Sequence, residues 1–339
     1  MAESRTYSER LGAISDAQFQ AVASRLNLGR FLRAEPTVGG LFGQNVFVTT
    51  TEGEFVLRGA PHWLNGAPND RWQFTKEAYF ARCLHEHTKA AVPWPMLHDE
   101  ASDIFGWPYL VMPRMPGTCF GDRSILRALD IDDRRAIAVA LAEGLVEQQR
   151  LTSPFAGDFD PGVTLVPYPH GYTQHVIDET GVFAASARTS GSWTAADDGW
   201  IEGFAERALA AAEPHPNVYV HGDYKLNNLT VMRKDEGWIV SGVFDLHESR
   251  FGNGALDLVR QACSYFDTDP ALAKPFVETY LGHVPHDPAL ADRLPLFIAS
   301  DRVRLWEYFT RPNTLADWTK GKTFRSFAGP YVDAILGLL

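Results

Sequence analysis

The stretch from His221 to Asn228 combines residue types and spacings suited to chemistry on a metal-bound phosphate. It reads His221-Gly222-Asp223-Tyr224-Lys225-Leu226-Asn227-Asn228 and lies between the apolar runs 218–220 and 229–231. A second apolar segment, 238–244, ends at Asp245. An acid, a carboxamide and a second acid therefore each follow a β-like segment. Asp223 can accept a proton from an attacking hydroxyl. Asn228 and Asp245 offer hard oxygen ligands of the kind that Mg²⁺ takes. A lone His-Gly-Asp turn is also an ordinary structural feature, with the Asp bonding its own backbone. The chemical reading therefore depends on further parts of a phosphate-handling site appearing in order.

Ser15 and Gln18 have capping-box spacing and predict an amphipathic helix over 15–28. β-like runs follow at 31–38, 44–50 and 54–58. Gly39-Gly40-Leu41-Phe42-Gly43 separates the first two, and Thr51-Glu52-Gly53 turns between the second and third. Asp70 caps a helix predicted to run to about residue 87. The proline-flanked runs 92–97 and 107–112 predict a fourth and a fifth strand. Helical patterns dominate 132–151, 200–212, 257–266, 270–281, 288–309 and 330–338, whereas 152–192 shows no clear period. The fold class is therefore α+β. A β-rich lobe over 1–113 precedes a mostly helical lobe over 114–339, with the stiff segment Pro113-Arg114-Met115-Pro116-Gly117 at the boundary.

Hydrophobic content of 45% and charged content of 22% in 339 residues leave ample material for a core. The formal net charge of −11 argues against a nucleic-acid binder, which needs a basic face. It suits attraction of a cationic small molecule, although solubility alone is a sufficient reason for it. No eighteen-residue apolar run points to a membrane span. The polar N-terminus lacks an apolar signal core, and the three cysteines, Cys83, Cys119 and Cys263, fit no metal or disulfide framework. A reducing cytoplasm is the expected location. The eleven histidines show no metal-ligand spacing of the His-Glu-x-x-His kind.

Over roughly residues 30–310 the chain resembles the aminoglycoside phosphotransferase family of the protein-kinase-like superfamily, which also includes choline kinases. The resemblance implies a bilobal kinase-like fold with a five-stranded antiparallel sheet in its small lobe. It implies ATP (or GTP) and Mg²⁺ as cofactors and a small-molecule hydroxyl as phosphate acceptor. Asp223 would be the catalytic base, and Asn228 and Asp245 the Mg²⁺ ligands. Lys225 stands at the offset where Ser/Thr kinases carry a lysine near the γ-phosphate, so it would offset charge on the transferring group. Arg58 stands where kinases carry the phosphate-gripping lysine, and Glu77 on the following helix is its natural partner. Arg is permanently charged and forks onto phosphate oxygens, which suits a static clamp. Gly40 and Gly43 could lie over phosphates through their backbone N–H groups. Backbone around Met112–Arg114 would meet adenine. Asp257, in Gly252-Asn253-Gly254-Ala255-Leu256-Asp257, matches a family Asp that holds the catalytic loop.

Leu246-His247-Glu248 departs from the aromatic or Phe-Gly that follows the metal-binding Asp in relatives, which argues against a mobile kinase-style switch. The acceptor is less constrained. A polycationic aminoglycoside needs an acidic pocket, and Asp158, Asp160, Asp197, Asp198, Glu248 and Glu307 are the candidates. The aromatic-rich region 155–193 suits a flatter or less charged ligand, so a kinase for a choline-like, sugar or hydroxy-acid metabolite is the alternative. A catalytically silent nucleotide-binding module is a third reading, disfavoured by the intact Asp223, Asn228 and Asp245. About a dozen residues between Asp245 and Asp257 leave little room for the peptide platform of a protein kinase. Oligomeric state is not legible in the sequence.

Overall fold

The computed structural model describes residues 4–37, 43–59, 70–189, 193–211, 213, 216–310 and 319–339. The chain forms two compact units. One comprises Met1–Leu126, Phe159–Leu165 and Leu226–Ser249, and the other Arg127–Asp158, Val166–Lys225 and Arg250–Leu339.

The first unit is built on a five-stranded antiparallel sheet. Its order is Phe31–Pro36, Asn45–Thr50, Gly53–Gly59, Tyr109–Pro113 and Leu97–Asp99. The alternation expected of a half-buried strand is clear in Asn45–Thr50, where Val46, Val48 and Thr50 are buried. One face of the sheet forms a core with helix Asp16–Arg25, uniting Phe19, Val22, Ala34, Val46, Val48, Leu57, Tyr109 and Val111. Burying each such large side chain is worth about 1.5–3 kcal/mol. Ser15 caps that helix in the expected capping box with Gln18. The period of two then turns Arg58, next to Leu57, toward the opposite side, where it meets helix Asp70–His87. A hairpin, Leu229–Lys234 with Gly237–Val243, completes the unit's chemistry-bearing elements. Ser241 Oγ donates to the carbonyl of Pro116, and the N–H of Val243 donates to that of Ala91.

In the second unit the long helix Leu290–Thr310 packs against Gly171–Arg188, Ala195–Ala210, Ala255–Phe266 and Phe324–Leu336. Its buried Val303 and Trp306 share a cluster with Phe324, Phe327 and Ala328. Strand Asn217–Val220 lies between Thr152–Ser153 and Arg250–Gly252 and leads into the His221 turn. No helix among the described residues is long and apolar enough to cross a membrane.

Several elements depart from the sequence expectation. The fourth strand, expected over 92–97, is Leu97–Asp99, after the prolines Pro93 and Pro95. Helix Gly171–Arg188 falls in the segment without visible period. Its buried positions are Tyr172, Thr173, Val176, Thr180, Ala184 and Ala187, so the helical repeat is carried largely by Thr and Ala, which a hydrophobicity pattern does not register. The hairpin Ser4–Ser8 with Gly12–Ser15 is likewise additional, in a polar stretch with few buried side chains.

Gly59, next to Arg58, has no room for a side chain. A Cβ there would lie 2.0 Å from Cζ3 of Trp107, whose ring is stacked on Phe105. Gly59→Ala should destabilise the first unit by about 1–3 kcal/mol through overpacking. Thermal denaturation would show it as a lowered Tm, and an unchanged Tm would mean that Trp107 moves aside freely.

Candidate active site

Asp223 stands at the end of a locked turn. Strand Asn217–Val220 delivers the chain to His221, and Gly222 then takes φ +82°, which favours glycine. Asp257, fully buried in the first turn of helix Ala255–Phe266, accepts two backbone donors of this turn. The His221 N–H is 2.7 Å and the Gly222 N–H 2.9 Å from its two carboxylate oxygens. Burial pushes the Asp257 carboxyl up to about 7, against the pull of those two N–H groups. The Asp223 N–H donates to Nδ1 of His221 at 3.3 Å.

The Asp223 carboxylate is held by two cations. Lys225 Nζ donates to Oδ2 at 2.7 Å, and Arg260 Nε donates to Oδ1 at 2.8 Å. Burial pushes the carboxyl up, but Arg260 and Lys225 more than reverse that and bring it to about 2. Asp223 is therefore ionised at neutral pH, with its side chain 22% exposed. Sequence reasoning missed Arg260. The available signal was helical spacing: three residues past Asp257, it shares the helix face that meets the turn.

A second charged cluster lies within the first unit. Arg58 donates from Nη1 to Glu77 Oε2 at 2.9 Å and from Nη2 to Asp245 Oδ1 at 2.7 Å. Gln73 Nε2 donates to the other oxygen of Glu77 at 3.2 Å. Arg58 and Glu77 are buried, whereas the Asp245 side chain is 30% exposed. Burial pushes the Glu77 carboxyl up, and Arg58 offsets that only in part. Asp245 is also opposed by burial, but Arg58 and His247 hold it well below the usual carboxylate range. Asp245 itself follows strand Gly237–Val243 with φ +69°, a left-handed conformation that is uncommon for a residue with a side chain. Leu246, next in the chain, is fully buried, and His247 Nδ1 lies 3.0 Å from Asp245 Oδ1.

Asn228 ends the short 3₁₀ turn Leu226–Asn228, and its carbonyl accepts the N–H of Phe244 at 3.1 Å. Asn228 and Asp245 thus flank the base of one hairpin. A carboxylate kept ionised and partly open, beside a carboxamide, is a fitting donor set for a hard cation. Among the described residues, Glu77, Asp245 and His247 also place one potential ligand atom each within 4.8 Å of the others. Glu77 is committed to Arg58, however, so its carboxylate is the poorer candidate for a cation.

The remaining expected positions are more dispersed. Gly43 has φ +57°, and its carbonyl accepts Ser8 Oγ at 2.6 Å; Gly40 lies outside the described residues. Met112 is buried in strand Tyr109–Pro113. The Arg114 N–H donates to the Glu54 carbonyl at 3.0 Å, and the Arg114 guanidinium covers the Phe47 ring at 4.0 Å. Several of the six acids considered for a cationic acceptor serve the fold. Asp197 accepts the Thr194 N–H in the capping box of helix Ala195–Ala210 and also the Arg325 N–H. Asp198 pairs with Arg188, Asp160 accepts the Thr164 N–H, and Glu307 accepts Ser186 Oγ.

The model of the phosphotransferase enzyme family matches residues 34–293. The chain belongs to this family. It is a phosphotransferase acting on a hydroxyl group. Among solved structures, the GDP complex of wild-type aminoglycoside 2′-phosphotransferase-IIIa is similar at 13% identity, with 98% of this chain and 97% of that one covered and a TM-score of 0.60. A thermostable mutant of aminoglycoside phosphotransferase APH(4)-Ia, in ternary complex with AMP-PNP and hygromycin B, is similar at 17% identity. There 94% of this chain and 98% of that one are covered, with a TM-score of 0.60. The fold is therefore the kinase-like α+β fold of aminoglycoside phosphotransferases. No curated protein matches the sequence.

Arg58→Ala would leave Glu77 buried without its cation, at a cost of about 3–5 kcal/mol. The double variant Arg58→Met, Glu77→Leu should recover much of that loss, because the apolar pair removes the buried Glu77 charge while Asp245 keeps its contact with His247. Urea denaturation of both variants provides the comparison. A single variant as stable as the parent chain would show that Glu77 does not depend on Arg58.

Proposed function

We propose that the protein transfers the γ-phosphate of a nucleoside triphosphate, ATP or GTP, to a hydroxyl of a small molecule, with Mg²⁺ as cofactor. The observation that carries this reading is Asp223, an ionised and partly open carboxylate on a turn fixed by Asp257. Its job is to accept a hydrogen bond from the acceptor hydroxyl, aim the oxygen in line, and take the proton as the bond to phosphorus forms. A carboxyl brought to about 2 is a weak base, so orientation precedes proton transfer. Lys225 offsets negative charge on the transferring group, and Arg58, anchored by Glu77, does so on the nucleotide phosphates. Asn228 and Asp245 are the residues that would hold Mg²⁺. When bound, the ion draws charge from the phosphate oxygens and holds them in register.

The nucleotide complexes of the similar structures, with GDP and AMP-PNP, support binding of a guanine or an adenine nucleotide. Residues 1–113 are proposed to carry the nucleotide, with Gly40, Gly43 and the backbone of Met112–Arg114 against it, and 114–339 the acceptor. Three free cysteines accord with a reducing cytoplasm.

An aminoglycoside-like antibiotic is the leading acceptor, on the hygromycin B bound by one similar structure. A second reading, a kinase for a less cationic metabolite, is favoured by the commitment of Asp160, Asp197, Asp198 and Glu307 to contacts within the fold. A panel of aminoglycosides, amino alcohols, sugars and hydroxy acids, each incubated with Mg-ATP or Mg-GTP, separates the two by the mass of the phosphorylated product. With the acceptor so found, Asp223→Ala should lower kcat by about 10²–10⁴-fold. Turnover at the parent rate would remove Asp223 from the mechanism.

A further inference from the structure

The two cations on Asp223 are not equivalent. Arg260 reaches Oδ1 from helix Ala255–Phe266, and its guanidinium is fixed from behind. Its Nη1 donates at 3.1 Å to Oδ1 of Asp301 on helix Leu290–Thr310. The second oxygen of Asp301 accepts from Nε of Arg302 at 2.8 Å and also from Nη2. Arg302 is fully buried and donates from Nη1 to Asp267 at 3.1 Å. Asp267 in turn accepts the hydroxyl of Tyr331 on helix Phe324–Leu336. Charges alternate along the whole chain, so each guanidinium is held at both ends and none is free to swing. Lys225 differs in each respect. It is a point charge on a flexible stem, its side chain is 24% exposed, and it sits two residues from the carboxylate it pairs with.

We infer that Arg260 is a positioning residue for phosphoryl transfer: it keeps Oδ1 of Asp223 throughout the reaction, while Lys225 yields Oδ2 to the acceptor hydroxyl. This deepens the role given to Asp223 above and rests on it. In the step, the hydroxyl oxygen bonds to the γ-phosphorus, the bond from that phosphorus to the departing nucleoside diphosphate breaks, and the hydroxyl proton passes to Oδ2. Departure of Lys225 from Oδ2 removes one of the charges that suppress its basicity. The carboxylate therefore becomes a better proton acceptor when the hydroxyl arrives, while Arg260 keeps its geometry unchanged. A carboxylate held by two mobile cations would lose its aim at the same moment.

The test uses Arg260→Gln, Arg260→Lys, Asp223→Ala and the double variant Asp223→Ala, Arg260→Gln, each assayed for phosphate transfer from Mg-ATP to water. Arg260→Gln should lower kcat on the order of 10²-fold, the effect of a misplaced group. The KM for Mg-ATP should stay within about twofold, since nucleotide binding is not the function removed. Arg260→Lys should restore part of the loss, because it keeps the charge and loses the second contact. The double variant should be no slower than Asp223→Ala, because Arg260 acts only through that carboxylate. Parent-level kcat in Arg260→Gln, or a double variant slower than Asp223→Ala, overturns the inference. Parent-level kcat in Asp223→Ala instead overturns the role of Asp223 itself.

A second measurement needs no turnover. Asp223 has a depressed folded-state pKa, so its ionisation adds stability above the unfolded value near 3.9, lost as pH falls toward about 2. Among the described residues, Lys225, Arg260, Asp257 and Asp301 are charged groups that act on it. The stability difference between the parent chain and Asp223→Asn, followed by urea denaturation from pH 6 down to about 2, reports that window. In an Arg260→Gln background the loss should begin at higher pH. An unshifted profile shows that Arg260 does not hold the carboxylate and overturns the inference.

Discussion

The carboxylate of Asp257 holds the catalytic turn together. It has no exposure, and it spends both oxygens on the backbone N–H groups of His221 and Gly222. Those donors sit just past the end of a strand, and an unmet buried donor costs about 1–3 kcal/mol. The acid therefore stabilises the turn and defines it at once. The direction in which Asp223 leaves the backbone follows from which way those two N–H groups point. Because Asp257 and Arg260 share one helix face, the same helix that fixes the backbone of the turn also fixes its carboxylate.

The second organising feature is the use of arginine where a lysine would serve for charge alone. Arg58 reaches two acids from one planar fork, 2.9 Å to Glu77 and 2.7 Å to Asp245. A lysine could satisfy one of them with comparable geometry. Since guanidinium does not release its proton in proteins, the positive charge of this arrangement is present at every pH in which the chain is folded. Arg260 and Arg302 repeat the device in the second unit, each bridging two carboxylates.

The sequence made the fold and much of this chemistry legible because both are written at short range. Four of the expected strands, the capping box at Ser15 and the helix opening at Asp70 are patterns of a few residues, and the structure has each of them, whereas the strand expected over 92–97 lies instead at Leu97–Asp99. The pairing of Arg58 with Glu77 is implied by the resemblance to kinase-like proteins, in which a strand cation pairs with a Glu of the next helix. Arg260 is less legible as a partner of Asp223, because thirty-seven positions separate them and the one sequence clue is its helical spacing from Asp257. The same holds for Asp301 and Arg302, which read as ordinary polar residues of an amphipathic helix. Helix Gly171–Arg188 escaped for a different reason: its inward face is made of small and hydroxylated side chains rather than large apolar ones.

Asp245 shows how narrowly one position can be specified. Its backbone occupies the left-handed region, which Gly and Asn tolerate well and most side chains do not. Its carboxylate also balances the charge of Arg58, which a neutral residue cannot do even where it accepts the hydrogen bond. Glycine and asparagine meet the backbone demand without the charge, and glutamate meets the charge without the backbone. Of the twenty residues, aspartate alone meets both, so position 245 has no conservative replacement.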